Sequence, residues 1–242
     1  MQQQQLATNS RNQITLRGST KIIVEFFEYS INSLLFQRGL YAPEYFKMTK
    51  KYGLNMLVTT DPEIKNHMRE ILKQVEAWLM ACKVEKLILA IKSKETMTVL
   101  ERWQFDIQNT KDHTLSQQQQ PPSSSHHNKE NLGVHTNDIS SNSSGSASNS
   151  KQKTEKTEKE IQAEIQAILR QITASVTFLP MLDEKCTWTI LCQTEKDAEV
   201  PATWNDADPH LVHNAEQVKL RSFSTNLHKI DALVAYRLQD DL

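Results

Sequence analysis

The sequence predicts an α+β domain in which three amphipathic helices back a β-sheet. Three segments carry apolar residues at spacings of three and four, and each is bounded by residues typical of helix ends. Short apolar or alternating runs between and after these segments are typical of strands. Because neighbouring strands can pair locally rather than through regular helical crossovers, this order favours an α+β sheet.

The first helix is predicted from Gly18-Ser19-Thr20 to Arg38-Gly39. Its apolar positions cover more than one side of a helix, so we expect a central helix that packs on several neighbours. Gly39 suits the left-handed conformation that ends a helix, and Pro43 prevents its continuation. The apolar residues are Ile22, Ile23, Phe26, Phe27, Ile31, Leu34 and Leu35.

The second helix is predicted to start at Asp61-Pro62, because an aspartate can cap free amides and proline suits the first turn. Trp78 stands near the end of its apolar stripe. It is either an ordinary core aromatic residue or a contact between this helix and a moving segment. The stripe consists of Ile64, Met68, Ile71, Leu72, Val75 and Leu79.

The third helix is predicted from the capping-box pair Thr157 and Glu160 to Pro180. Arg170 falls opposite the apolar stripe, while Gln171 and Phe178 fall on its flank with Ala167 and Ala174. Phe178 either tucks under a loop or belongs to a protein-binding face that includes Arg170. The predicted stripe is Ile161, Ile165, Ile168, Leu169, Ile172, Val176 and Leu179.

Several segments read as strands. Residues 87–91 form an unbroken apolar run, and residues 102–107 alternate. Cys186–Cys192 places Trp188 and Ile190 on one face and threonines on the other. Cys186 and Cys192 share a face, and we interpret them as small buried hydrophobic residues rather than a reactive pair. A terminal hairpin is predicted around Ser224-Thr225-Asn226, between a strand with Val218 and Leu220 and one with Ile230, Ala232, Val234 and Tyr236.

The predicted organisation is a disordered lead at residues 1–13 followed by one domain at 14–242. A disordered low-complexity insertion at about 111–156 interrupts that domain. Between Ser116 and Glu160 only four residues are hydrophobic, Leu132, Val134, Ile139 and Ala147. Such a tract cannot bury enough surface to offset its ordering entropy, and a long loop inside one domain is thermodynamically tolerable.

Composition excludes several classes of function. The formal net charge is −1, with 28 basic and 29 acidic residues, so nothing favours a nucleic-acid partner. No apolar run is long enough for membrane insertion and the amino end lacks the features of a signal peptide, so we expect an intracellular, soluble protein with its three cysteines reduced.

No catalytic, cofactor or metal site is predicted. The histidine pair His126-His127 lacks carboxylate or thiol partners, and no glycine-rich phosphate loop is present. An enzyme would need an active site built from residues in no recognisable pattern. We therefore expect a binding protein without cofactors.

Sequence blocks across nearly the whole chain, apart from the lead and the insertion, resemble the HORMA-domain proteins of the spindle assembly checkpoint. Several long blocks in the right order make the resemblance specific, although the serine-rich tract is longer than expected of that family. The blocks are Ile14-Thr15-Leu16-Arg17-Gly18-Ser19, Glu25-Phe26-Phe27, Ile31-Asn32-Ser33, Gln37-Arg38-Gly39, Leu57-Val58-Thr59-Thr60-Asp61, Leu100-Glu101-Arg102-Trp103-Gln104-Phe105-Asp106-Ile107, Arg170-Gln171-Ile172-Thr173-Ala174, Thr177-Phe178-Leu179-Pro180 and Arg221-Ser222-Phe223.

The resemblance implies three helices on a mainly antiparallel sheet and a mobile carboxyl-terminal safety belt that switches between open and closed topologies. In the closed form the belt traps a partner peptide, which adds a strand to the sheet. The belt would run from about residue 195 to 217, and the hairpin at 218–238 would relocate. The receiving edge would include Cys186, Trp188, Ile190 and Cys192. The conformational switch would include Trp78, Val218, Leu220, Arg221, Phe223 and Tyr236.

The resemblance also implies partners and a location. Arg170, Gln171 and Phe178 match the face where open and closed copies self-associate and where a comet-type antagonist docks, together with its AAA+ remodelling ATPase. The peptide partners would be the kinetochore receptor mitotic arrest deficient one and the cell-division-cycle-twenty activator of the anaphase-promoting complex. Inhibition of that activator would last until chromosomes attach. We expect the nucleus, the cytoplasm and unattached kinetochores. The alternative is the HORMA adaptor subunit of translesion DNA polymerase zeta.

Overall fold

The computed structural model describes residues 14–110 and 156–238. The predicted lead and nearly all of the predicted insertion lie outside the described residues. In those ranges the α-helices are α1 (Leu16–Gln37), α2 (Pro62–Met80) and α3 (Glu158–Ala174). The strands are β1 (Phe46–Lys51), β2 (Leu54–Thr59), β3 (Val84–Ser93), β4 (Val99–Asn109), β5 (Cys186–Thr194), β6 (Ala215–Lys219), β7 (Phe223–Ser224) and β8 (His228–Arg237).

Three predicted helix boundaries are confirmed by local structure, whereas α1 begins at Leu16, two residues before the predicted Gly18. The Asp61 carboxylate accepts hydrogen bonds from the backbone amides of Glu63 and Ile64. Thr157 and Glu160 form the reciprocal capping box at the start of α3. Gly39 has the positive φ of 63° expected after the end of α1. Local side-chain chemistry therefore fixes where each helix starts or stops.

The end of α3 differs from the prediction. The α-helix stops at Ala174 and continues as a single 3-10 turn, Ser175–Thr177. The hydroxyls of Ser175 and Thr177 donate to the carbonyls of Ile172 and Ala174, which favours this tighter local geometry. The helical stripe was therefore wrong for Val176, which is 40% exposed, whereas Leu179 is buried as expected.

The large sheet is antiparallel at every pairing, with strand order β5-β3-β4-β8-β6 and with β7 also paired to β8. The hydrophobic core lies between this sheet and the helices. Phe26 of α1 packs edge-on against Phe105 of β4 at 5.6 Å and against Phe223 of β7 at 4.9 Å. The prediction of helices behind a mainly antiparallel sheet is thus confirmed, with α1 as its central helix.

One buried ion pair links α1 to the sheet. Arg38, at the end of α1, lies 2.5 Å from the Glu101 carboxylate, and Trp103 donates its indole N–H to the same group. Burial raises the pKa of Glu101, an effect that the charge and hydrogen bond of Arg38 oppose. Arg38 also donates to the carbonyl oxygen of Pro180, so the pair holds the segment after α3 in place.

A second, two-stranded sheet was missed by sequence reasoning. Its strands β1 and β2 are joined through Tyr52 and Gly53, whose φ angles of 50° and 68° define a tight left-handed turn. Gln166 of α3 donates to the Tyr52 carbonyl oxygen at 2.8 Å. A Cβ on Gly53 would lie 2.9 Å from Gln166 Nε2 and would displace this side chain, while the positive φ of Gly53 itself favours glycine.

The terminal hairpin is confirmed, with shifted boundaries. β6 pairs with β8 from Ala215↔Arg237 to Lys219↔Leu233, so the strand starts before the predicted Val218. Leu220 follows the strand, and its amide still donates to the Ala232 carbonyl oxygen at 2.8 Å. Among the described residues, none of the helices is long and apolar enough to cross a membrane.

Candidate peptide-binding groove

β5 forms one edge of the large sheet. Its only strand partner in the described part of the chain is β3, so its other side offers free backbone groups. None of its nine residues is charged. The predicted edge residues Cys186, Trp188, Ile190 and Cys192 all lie on the core side, opposite Ser93, Ile91, Leu89 and Leu87 of β3. Thr189 and Leu191 alternate to the other side.

A long connection, the belt, runs from β5 to β6 through residues 195–214 without helix or strand. β5 and β6 lie at opposite edges of the sheet, so the belt must cross its width. Four strand spacings of about 4.8 Å amount to roughly 20 Å, whereas about 20 extended residues span up to roughly 65 Å. The belt therefore has length to spare, enough to pass around an additional strand at β5.

A groove of about 1660 Å³ lies between α2, β5 and the belt. Its walls include Ile71 and Ala77 of α2, Thr189 and Leu191 of β5, and Val200 and Trp204 of the belt. Charged residues such as Glu70 and Lys73 of α2 line it as well. A free strand edge beside such a groove can bind an extended peptide, because the edge pairs with backbone and the groove receives side chains.

Trp78 connects α2 to the belt. It is 4% exposed, and its indole N–H donates to the Glu199 carbonyl oxygen at 2.9 Å. Its ring also packs edge-on against Trp204 at 4.9 Å. Trp78 is therefore an ordinary core aromatic residue that also contacts the belt. Its predicted role in a conformational switch stays a prediction. Sequence reasoning missed Trp204, whose only signal was an isolated aromatic residue in a polar segment.

An aromatic cluster flanks the start of β5. The Trp188 indole N–H donates to the Tyr41 hydroxyl at 2.8 Å, and the Trp188 ring lies 5.5 Å from the His67 ring.

Burial raises the pKa of the Cys186 thiol of β5 and raises that of the Cys192 thiol to about 12. Both thiols are therefore protonated at neutral pH, which disfavours reactivity.

The belt is attached at its start by Lys83. The Lys83 ammonium lies 2.7 Å from the Glu195 carboxylate and 2.8 Å from that of Asp197. Hydrogen bonds to Asp197 and Glu195 raise the pKa of Lys83. The Glu195 amide also donates to the Lys83 carbonyl oxygen at 2.9 Å.

The terminal hairpin is fastened to α1 and α3 by polar contacts. Ser19 Oγ of α1 lies 2.7 Å from both Thr225 Oγ1 and His228 Nδ1. All three residues are buried, and burial lowers the pKa of His228 to about 4. Lys156, just before α3, donates to Ser224 Oγ at 2.7 Å and also pairs with Glu164. Sequence reasoning gave no role to His228.

The predicted switch residues of the tail occupy this hairpin. Val218 faces Val234 across the β6–β8 pair, and Phe223 is buried in the core. The Tyr236 hydroxyl donates to the Glu216 carboxylate at 2.7 Å, and this hydrogen bond raises the pKa of Tyr236. Leu220 packs against the core. Arg221 is exposed.

The predicted self-association face adjoins the same hairpin. Arg170 is exposed on α3. The Gln171 side chain accepts a hydrogen bond from the Arg221 amide at 2.7 Å, and the Phe178 ring lies 6.2 Å from the Tyr236 ring. Phe178 is 44% exposed, so it is neither fully buried nor free of the tail. Two of the three residues therefore touch the tail, and the role of the face stays a prediction.

Comparison with known proteins gives a consistent result. The HORMA domain pattern matches residues 19–228. The mitotic spindle checkpoint component mad2 of Schizosaccharomyces pombe is 46% identical over 230 residues, covering 94% of this chain and 96% of that protein. Protein MAD2A of Dictyostelium discoideum, a mitotic spindle assembly checkpoint protein, is 45% identical and covers 98% of this chain and 100% of its own length.

A chain in the crystal structure of a mitotic checkpoint complex superimposes with a TM-score of 0.70 at 43% identity, covering 91% of this chain and 99% of that chain. DNA polymerase zeta subunit 2 of Drosophila melanogaster matches far less, at 32% identity over 74 residues, or 31% of this chain and 37% of that protein.

Proposed function

Because the chain belongs to the HORMA-domain family, among the Mad2 spindle checkpoint proteins, we propose that it is a non-catalytic checkpoint adaptor that traps a partner peptide against β5. The peptide would add a strand to the sheet, and the belt would close over it. A belt that must open before the peptide can leave makes dissociation slow, which suits a protein that holds an inhibited complex together.

The observation that carries this proposal is the edge of β5. A nine-residue edge strand without a single charged side chain is normally an aggregation hazard that proteins avoid. Here it lies beside a groove and under a belt with length to spare. An extended peptide that pairs with this edge accounts for all three features at once.

We further propose two topologies for the tail. In the arrangement described above, the terminal hairpin pairs with β4 and leaves β5 free for a peptide. In the other topology the hairpin would lie on β5 and exclude the peptide. The polar contacts that hold the hairpin support such a change, since water can replace them when the hairpin leaves.

The proposed partners follow from the family. The peptides would come from the kinetochore receptor mitotic arrest deficient one and from the cell-division-cycle-twenty activator of the anaphase-promoting complex. Self-association and binding of a comet-type antagonist, which acts together with its AAA+ remodelling ATPase, would use the α3 face. The protein would work in the nucleus, in the cytoplasm and at unattached kinetochores. The polymerase zeta alternative is not favoured, since the match to that adaptor covers under a third of the chain.

A peptide titration combined with hydrogen exchange tests the proposal. The full chain is titrated with a fluorescein-labelled peptide from mitotic arrest deficient one, with a scrambled peptide as the control. We expect saturable binding of the first peptide alone and a strong slowing of exchange at the amides of β5. Binding without protection of β5, or equal affinity for the scrambled peptide, would contradict strand addition at this edge.

A further inference from the structure

The face of the large sheet that points away from the helices is also covered. Leu87, Leu89 and Ile91 of β3 belong to the helical core, whereas the alternate residues Ile88 and Ala90 do not. Ile88 and Ala90 are nevertheless only 5% and 0% exposed. Since side chains alternate along a strand, these two residues are buried on the opposite face.

The belt is fixed to this far face by two cations. On β4, the Arg102 guanidinium donates to the Pro209 carbonyl oxygen at 3.3 Å. On β3, Lys92 Nζ lies 3.2 Å from His210 Nε2. Arg102 pairs with Ala90 in the β3–β4 register, and Lys92 lies two residues further on the same face. Lys92, Arg102, Pro209 and His210 therefore form one cluster, which we call the latch.

The chemistry of the two side chains determines which of them donates in the Lys92–His210 hydrogen bond. An ammonium group has donors and no acceptor, so His210 Nε2 must be the unprotonated acceptor. Nδ1 then carries the proton and lies 3.6 Å from the Asp208 carboxylate. His210 has a φ of 51°, which is unfavourable for a residue with a Cβ and persists where contacts hold it. The Asp208 side chain supplies one such contact by accepting from the His210 amide at 2.8 Å.

We propose that the Lys92–His210 and Arg102–Pro209 contacts act as the latch of the belt, and that their opening limits the rate at which a trapped peptide leaves. This inference rests on the proposed function. The attachment at Lys83 lies at the end of β5 itself, and the Trp78 contacts lie on the wall formed by α2. The latch, by contrast, attaches the belt to the sheet face that the belt crosses. The belt therefore cannot lift from this face unless the latch contacts break. Lys92 and His210 are positioning residues, since they act on the peptide through the belt.

Release kinetics test the latch. Labelled peptide is bound to the full chain and then chased with excess unlabelled peptide, for wild type, Lys92→Met, His210→Ala and the double variant. We expect each single variant to speed release about five- to tenfold, because one hydrogen bond to a charged group is lost. The association rate should rise as well, by up to a similar factor, because the latch is also closed in the peptide-free chain and must open before a peptide can enter. The double variant should release no faster than either single variant, because both lack the same contact.

A matched control lies on the same strand. Lys86 is on the same face of β3 as Lys92 and contacts Asp106 instead of the belt. Lys86→Met should therefore leave release unchanged. Unchanged release in both Lys92→Met and His210→Ala, or equal effects in the Lys86 control, would overturn the latch.

Hydrogen exchange of the free protein separates this inference from the proposed function. In Lys92→Met, the belt amides at residues 210–213 should exchange several-fold faster than in wild type, and in Lys86→Met they should not. If wild type bound no peptide but the belt amides of Lys92→Met still exchanged faster than those of wild type, the latch contact would be supported and strand capture would be contradicted. If wild type bound peptide and the belt exchanged equally in both variants, the latch alone would fail.

Discussion

The two edge strands of the large sheet differ in length, in charge and in whether a groove lies beside them. β5 presents nine uncharged residues beside a groove, while β6 is five residues long and carries Glu216 and Lys219. Short, charged edges resist the addition of another strand, and long uncharged edges invite it. Under the proposed function, one sheet would accept a strand on its β5 side and refuse one on its β6 side.

The elements beside each edge differ as well. On the β6 side, buried polar contacts of Ser19 with Thr225 and His228 tie the hairpin to α1, and an exposed hydrogen bond to Gln171 ties it to α3. On the β5 side, a mixture of apolar and polar side chains lines an open groove. Directional hydrogen bonds set the position that the tail adopts on the β6 side, whereas the open groove on the β5 side leaves room for a guest.

The largest expected effect comes from removing the β6 side. Deletion of residues 233–242 removes half of β8, including the buried Val234 and Tyr236 and their pairing with β4. We expect peptide capture to weaken at least a hundredfold in a fluorescence titration, because the belt loses the strand that anchors its far end. Deletion of residues 239–242 alone is the matched control and should keep affinity within about threefold. Equal affinity for all three chains would contradict the anchoring role of the hairpin.

Acid should weaken the contacts that hold the hairpin on the β6 side. Burial lowers the pKa of His228 to about 4 in the folded protein, from an ordinary value of 6.5. The unfolded chain therefore gains a proton first as pH falls, so the stabilisation from neutral His228 is complete above about pH 6.5 and is lost between pH 6.5 and 4. The loss should be on the order of 3 kcal/mol in the free energy of unfolding.

Urea denaturation at pH 7.5 and pH 4.5 checks this prediction. The pH-dependent loss should shrink by about 2 kcal/mol or more in His228→Asn, which keeps a side-chain acceptor and cannot titrate. If the variant and wild type lost the same stability over this range, the pH dependence would belong to other groups.

A charge placed on the uncharged edge tests the comparison directly. Thr189→Lys introduces an ammonium group into β5 where the groove begins, and Gln217→Lys adds one to β6, which already carries charge. We expect Thr189→Lys to weaken peptide binding about thirtyfold, because the guest and belt would desolvate the charge. Gln217→Lys should change binding less than threefold. Comparable losses in both variants would show that the two edges are not functionally different.

The sequence predicts the helices and the receiving strand because their signals are local. Caps at Asp61, Thr157 and Gly39 act within a few residues, and alternation at Trp188 and Ile190 identifies a face without knowledge of the fold. Alternation also predicted the terminal hairpin, whereas the family resemblance supplied the belt and the relocation of the tail. The role of Val176 was misread because local hydroxyl contacts ended the helix one turn early.

The missed residues all depend on contacts between distant parts of the chain. Trp204 acquires a role only beside Trp78, and His210 only beside Lys92. The β1–β2 hairpin was missed because its lysines obscure the alternation, and its turn is held by Gln166 of α3. A single sequence contains no pairing information at these separations, so composition and spacing could not identify such contacts.

The smallest effect on peptide capture is expected at Arg170. This substitution separates the part of the α3 face that contacts the tail from the part that does not. Arg170 is exposed, whereas the Gln171 side chain holds the Arg221 amide of the tail at 2.7 Å. Arg170→Ala should therefore reduce self-association in size-exclusion chromatography while peptide affinity stays within about twofold, because truncation of an exposed side chain barely changes stability. Gln171→Ala should reduce self-association and also speed hydrogen exchange at Arg221, because it frees an amide of the tail. An unchanged dimer in Arg170→Ala would remove this residue from the interface, and unchanged exchange in Gln171→Ala would separate the face from the tail.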